Sequence, residues 1–209
     1  MAHAGYHEPG EQTRLIELPG KPSSAAFTPD GGYVVFTAGG QTHLWDASAA
    51  TPLVQWEETP SDLEVSYRML RKVSPGLLIC AWHTGLRLID LNARRERLLD
   101  NNPCESLAVS ADGTRLAVAS RFPGNAQPPW VRVLDTANWN VVRQIPAECR
   151  GLDWTADGRL VILSVPHDGP RDQAGHLQWY DPVSPEPVKQ ATIQFTSLVR
   201  LALLDARSD

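Results

Sequence analysis

The sequence predicts an all-β fold built from repeated four-stranded antiparallel units. Three observations carry that prediction. Four similar pentads recur at a near-constant interval, Asp-Gly turns separate paired apolar runs, and 17 prolines and 15 glycines supply turns for many short elements.

The pentads are THLWD (Thr42 to Asp46), LRLID (Leu86 to Asp90), VRVLD (Val131 to Asp135) and LQWYD (Leu177 to Asp181). From 46 to 90, 90 to 135 and 135 to 181, their closing aspartates are spaced by 44, 45 and 46 residues. The third residue of each is apolar (Leu44, Leu88, Val133, Trp179) and the second polar (His43, Arg87, Arg132, Gln178). That alternation of period two marks a half-buried strand. An aspartate at its end suits a turn, where the carboxylate accepts backbone N–H groups.

A second landmark precedes three of the pentads. FTPDGGYVVFTA, VSADGTRLAVAS and WTADGRLVILSV each read as strand, Asp-Gly turn, strand. Asp-Gly supplies the positive φ that a tight hairpin demands. The second unit has RKVSPG instead, with Pro75-Gly76 making the turn. Each unit therefore reads as strands a, b, c and d. In the third unit these fall at about 106–110, 115–120, 130–135 and 141–145. Four strands in some 45 residues is the pattern of a propeller blade, which must stack on neighbours to bury both faces.

The predicted organisation is a flexible N-terminus over 1–12 and one β domain over 13–209. Its units span about 22–58, 61–100, 103–146 and 147–192, with a partial fifth over 195–209. Thr13–Leu18 reads as a lone strand d. Leu198–Leu204 reads as the first strand of the fifth unit, with ARSD as its turn cut before the glycine. The expectation is an open or partial propeller, with a closed small ring as the alternative.

These motifs resemble the WD-repeat propellers, and LAVSADGTRLAVAS with VRVLDTANWNVVRQI resembles the YVTN-type bacterial propellers. The likeness runs from about Thr13 onward. Only Trp45-Asp46 is a true WD dipeptide, and the Gly-His pair stands before strand c, at Gly175-His176, rather than before strand a. The hydrogen-bond network that the WD family builds on those residues is therefore not carried over.

Composition narrows the function classes. The formal net charge is -5 with both signs interspersed and no Lys/Arg block, so nucleic acid is not an expected partner. No run of 18 apolar residues spans a membrane, and MAHAGYHEPGEQ has no apolar core for a signal peptide. Three cysteines, Cys80, Cys104 and Cys149, form no C-x-x-C pair; an odd, sparse set fits a reducing, cytoplasmic setting.

No P-loop, G-x-S-x-G, H-E-x-x-H or paired C-x-x-C occurs, so no catalytic, cofactor or metal residues are assigned. Asp153–Gly158 has the look of a calcium loop, but Ser164 stands where the closing Glu belongs, and a hairpin turn accounts for it. The b–c loops of the third and fourth units, RFPGNAQPPW and PHDGPRDQAGH, are long and expected on one face. Phe122, Trp130, His167 and Arg171 are its candidate protein-binding anchors, because aromatic and Arg residues dominate interface energies. Trp130 has a second reading, packed between blades at the start of strand c. Trp139, in a c–d turn, is a further candidate anchor or a lid over its own hairpin. Cys104 and Cys149 each lie eight residues before a turn aspartate (112 and 157) and read as buried, unreactive thiols at the start of strand a. His43 and His83 read as structural.

The function expected from the repeat and the unfinished ring is a non-enzymatic scaffold that docks onto a partner protein or a second copy. The family resemblance implies two alternatives. One is a propeller hydrolase of lactonase type. The other is a fragment of a larger signalling or defence protein, since bacterial WD-like repeats often follow a kinase, protease or NTPase domain.

Overall fold

A computed structural model describes residues 22–38, 41–57, 69–82, 85–120, 130–164, 174–181, 184 and 186–194. Among these residues every regular element is a strand. The first sheet comprises β1 (Pro22–Phe27), β2 (Tyr33–Ala38), β3 (Gln41–Asp46) and β4 (Thr51–Glu57). The second comprises β5 (Met69–Ser74), β6 (Leu77–Trp82), β7 (Gly85–Asp90) and β8 (Arg95–Asp100). The third comprises β9 (Cys104–Val109), β10 (Arg115–Ser120), β11 (Trp130–Asp135) and β12 (Val141–Pro146). The fourth comprises β13 (Gly151–Trp154), β14 (Leu160–Ser164), β15 (Ala174–Tyr180) and β16 (Pro187–Gln194). Each sheet is an antiparallel meander in chain order, so the four repeat units are four blades. The predicted strands at Thr13–Leu18 and Leu198–Leu204 lie outside the described residues. Several strand boundaries differ from the sequence reading. Strand a of the third unit starts earlier, at Cys104, and β15 starts at Ala174, taking Gly175-His176 into the ladder opposite Ile193 and Thr192.

The hairpin turns repeat because their side chains do. Ser110 Oγ donates to Asp112 Oδ1 at 2.6 Å and accepts the Arg115 N–H at 2.9 Å, while Thr114 N donates to Asp112 Oδ1 at 3.0 Å. Thr28 and Asp30 repeat this at 2.5 Å, with Tyr33 N on the Thr28 hydroxyl at 3.1 Å. Thr155, Asp157 and Arg159 do so in the fourth blade. The glycine after each aspartate has positive φ: 69° at Gly31, 72° at Gly113 and 82° at Gly158.

These hydrogen bonds, the Ser110 hydroxyl foremost, hold the Asp112 carboxyl down at about 2, against an ordinary 3.8. A depressed carboxyl adds stability that is complete above its unfolded pKa and is lost as pH falls through the folded one. Asp112→Asn is therefore expected to be less stable than the wild type above about pH 4, the gap closing toward pH 2. Urea midpoints at successive pH values measure this; a gap independent of pH would refute it.

The closing aspartates of the first three blades behave as their position predicts. Asp46 Oδ1 accepts Ala49 N at 2.8 Å, Asp90 Oδ1 accepts Ala93 N at 2.9 Å, and Asp135 Oδ1 accepts Ala137 N at 2.9 Å. The residue four places on is left-handed each time: Ala50, Arg94 and Trp139.

The core lies between blades. Ala26, Val35 and Leu44 of the first sheet meet Leu70, Leu78, Cys80 and Ile89 of the second. The other face of the second sheet, with Ile79, Ala81, Leu86 and Leu88, meets Leu107, Leu116, Val118 and Leu134 of the third. The third sheet then turns Ala108, Ala117, Val131 and Val133 toward Leu152, Trp154, Leu160 and Ile162 of the fourth. Strand β10 is consequently buried on both faces, which explains its unbroken apolar run. Each fully buried Leu or Ile contributes about 1.5–3 kcal/mol relative to exposure.

The first strands of successive blades pack in series, β1 on β5, β5 on β9 and β9 on β13, so they share one axis. No comparable contact joins the first sheet to the fourth among the described residues. The stack is an arc of four blades, and none of its sheets closes into a barrel.

Candidate functional site

The inner strands enclose a cleft of about 500 Å³ at the end of the axis where the Asp-Gly turns lie. Five segments build it: Pro29-Asp30, Arg71–Val73 of β5, Leu107–Val109 of β9, the turn residues Ser110, Ala111 and Gly113, and Leu152-Asp153 of β13. The strand ladders put these segments together because each is the turn-proximal end of an inner strand. Gly113 shows how close the blades approach: a Cβ there would lie 2.6 Å from the Val73 carbonyl oxygen.

Two cations and two carboxylates line the cleft. Burial pushes the Arg71 guanidinium below the usual arginine range, with the Asp153 charge opposing that shift. Arg71 Nη1 donates to its neighbour's carbonyl, Leu70 O, at 3.0 Å. Lys72 Nζ stands 3.9 Å from Asp30 Oδ2, with both side chains well exposed, so this pair adds little stability. The Thr28 hydroxyl and the Gly32 N–H hold the Asp30 carboxyl below its ordinary range. Asp153 Oδ1 accepts the Trp154 N–H at 2.9 Å. No three of His, Cys, Asp and Glu gather among the described residues.

Of the residues singled out from sequence, Trp130 and Trp139 do not line this cleft. Phe122, His167 and Arg171 lie outside the described residues. Trp130 begins β11 and is 3% exposed, on the face turned toward the second blade. The Arg132 guanidinium lies 3.7 Å above its ring and pairs with Asp100 of that blade at 3.0 Å. Trp130 thus takes the inter-blade position of its second reading, and its buried indole N–H has no hydrogen-bond partner among the described residues. Trp139 is half-buried against the core between the second and third blades. Its φ of 64° is shared in kind by Ala50 and Arg94 at the same turn position, so the turn requires it and no functional strain is implied.

Cys104 starts β9 as expected, whereas Cys149 lies before β13, which begins at Gly151; the two sit in different inter-blade cores, and burial pushes each thiol up to about 12. Such thiols stay protonated and unreactive at neutral pH. His43 is buried and stacks on Phe36 at 5.2 Å, a structural placement. His83 lies outside the described residues. Among the described residues no helix is long and apolar enough to cross a membrane.

Sequence reasoning missed Arg71 and Asp153 because nothing local marks them. They lie in different blades and meet only through the shared axis. The hydroxyl two residues before each turn aspartate was visible in TPDG, SADG and TADG, and it identifies the turn end of the axis.

These blades define a propeller-like, all-β protein. No family model matches the chain, and no curated protein matches it. Among solved structures 767 chains match, a breadth that speaks for a shared architecture rather than one activity. One of them is Kuenenia stuttgartiensis hydrazine synthase, with a TM-score of 0.61 and 20% identity, over 93% of this chain. This chain spans 54% of that one, and at such identity the likeness is one of fold alone.

Proposed function

We propose that the chain is a non-enzymatic, WD-like interaction module of the cytoplasm that docks onto a partner protein or a second copy of itself. The observation that carries this reading is Phe27 of β1, a large apolar side chain left exposed on the first blade. Ala26, Val35 and Leu44 face the second blade, so Phe27, Val34, Phe36, His43 and Trp45 share the opposite face by register. Phe36 is 5.9 Å from Trp45, and Phe27 beside this group is 58% exposed. Interior blades use the same register to pack against a neighbour. Phe36 and His43 on that face are themselves buried, so Phe27 is the part of it left for a partner.

Light scattering tests the reading. The wild-type chain is expected as a dimer or as a stoichiometric complex with its co-purifying partner. Phe27→Asp is expected to weaken that association at least 10-fold while leaving the melting temperature within a few degrees, since Phe27 is mostly exposed. A monomeric wild type with no stoichiometric partner, or association indifferent to Phe27→Asp, counts against it.

A further inference from the structure

The outer edge of the second blade carries cations that nothing within the described residues uses. Arg94 stands in the turn between β7 and β8, and Arg95 and Arg97 follow on β8. All three are exposed, and none makes a hydrogen bond or an ion pair among the described residues. The other outer strands differ. In β12, Arg143 donates to Asp181 O at 2.8 Å, and in β16 the Lys189 ammonium lies 4.7 Å from the centre of the Trp179 ring. β4 has no Lys or Arg.

The carboxylates nearby are already engaged. Glu96 pairs with Arg87, on the face of β8 away from Arg95 and Arg97. Asp90 lies opposite Arg95 in the ladder, but its Oδ1 accepts the N–H groups of Asn92 at 3.0 Å and Ala93 at 2.9 Å, and no ion pair joins it to Arg95. Residues 87–97 thus hold four arginines against two carboxylates, on a chain whose net charge is -5. β8 is also an edge. Its only ladder among the described residues is with β7, which leaves main-chain N–H and C=O groups along its other side. Arg95 to Leu98 pair with β7 in unbroken register, so the edge is regular there. Leu98, 49% exposed, stands on the face opposite Arg97.

We infer that β8 is a docking edge for an extended acidic segment of a partner protein, which adds a fifth strand to the second blade and sets Asp or Glu residues two apart beside Arg95 and Arg97. The inference rests on the interaction-module reading and adds to it a second surface and the partner's chemistry. Side chains on one face of a strand repeat every ~7 Å, in the partner as in β8, so acidic residues two apart match the two guanidiniums. The partner's main chain takes up the remaining N–H and C=O groups, and an apolar residue of the other parity covers Leu98. A second copy's β8 would set arginine against arginine, so the same charges exclude the chain's own edge. A nucleic-acid backbone would meet the guanidiniums but leave the ladder and Leu98 unused.

The test is fluorescence anisotropy of a labelled peptide in which Glu alternates with Val and Thr, titrated with the full chain at low salt. This peptide is expected to bind, and the matched peptide with Gln for Glu to bind about 10-fold more weakly or worse. Arg95→Gln combined with Arg97→Gln is expected to cost about 10-fold or more, Arg94→Gln about 3-fold, and Arg159→Gln, in a turn of the fourth blade, nothing. Melting temperatures of these variants are expected near that of the wild type, because the β8 arginines are exposed and unbonded. N-methylation separates strand addition from charge alone. Methyl groups on the alternate peptide nitrogens that face β8 should abolish binding, and on the other set leave it intact. No binding of the Glu peptide, equal binding of the Gln peptide, indifference to the double arginine variant or indifference to both methylated sets would overturn the inference. So would tighter binding of double-stranded DNA or phosphatidylserine vesicles through the same arginines. The two readings fail separately. Phe27-dependent association without Glu-peptide binding leaves the module and removes this edge, whereas Glu-peptide binding by a chain whose association ignores Phe27→Asp leaves the edge and removes docking at Phe27.

Discussion

Gly85→Ala is expected to lower stability by about 3 kcal/mol or more, because two penalties coincide at one residue. Its φ is 132°, a backbone region that L residues rarely occupy. A Cβ built there would also lie 2.0 Å from the Asp100 carbonyl oxygen and 2.9 Å from the Asn101 Cα. Both are main-chain atoms, so no rotamer change relieves the contact. Only a shift of the chain between β8 and β9 does, and that would disturb β7 against β8 and the seam behind Asp100. Gly158→Ala is the matched control. Its φ is 82° and nothing lies within 4 Å of the added methyl, so it pays conformational strain alone, about 1–2 kcal/mol. Urea denaturation of both variants separates the two costs. Equal losses would show that the close approach at Gly85 costs nothing.

Trp154→Ala is expected to cost about 3–5 kcal/mol, the usual range for deleting a buried aromatic ring. Trp154 ends β13 and is buried in the core between the third and fourth blades. Its indole N–H reaches across the seam to Ala108 O at 3.1 Å, and beside it the Leu152 N–H donates to Ser106 Oγ at 3.0 Å. The side chain therefore both fills the seam and fixes the register of one blade on the next. Trp154→Phe separates these roles. It keeps most of the apolar mass and loses the hydrogen bond, a net cost of about 1 kcal/mol beyond the volume lost. A Trp154→Phe variant as unstable as Trp154→Ala would mean that the hydrogen bond, rather than the packing, holds the fourth blade.

Much of this architecture was legible in the sequence because its causes are local. The alternation in LRLID or VRVLD assigns one face of a strand, and an Asp-Gly pair fits few turns besides a hairpin. Even the RKVSPG substitute was legible, since Gly76 reaches the same left-handed region, with φ of 80°. The departures came where a side chain's surroundings lie far away in the chain. Trp130 offers itself as an anchor beside a long loop, yet Arg132 covers its ring because Asp100, 32 residues earlier, draws that guanidinium across the seam. Trp139 looks exposed in its turn, yet it packs partly buried against the adjacent core. Nothing in the local pattern carries either fact.

The same distinction applies to the whole molecule. The sequence by itself determined the number of described blades, the four-strand order within each and the chemistry of their turns, because these depend on residues no more than one hairpin apart. Tertiary structure alone decided which face of each blade meets a neighbour, that Phe27 of the first blade is exposed while Phe36 and His43 beside it are buried, and that Arg71, Lys72, Asp30 and Asp153 line one cleft. Those four residues come from three blades, and only the convergence of the inner strands on a common axis brings their charges within reach of one another.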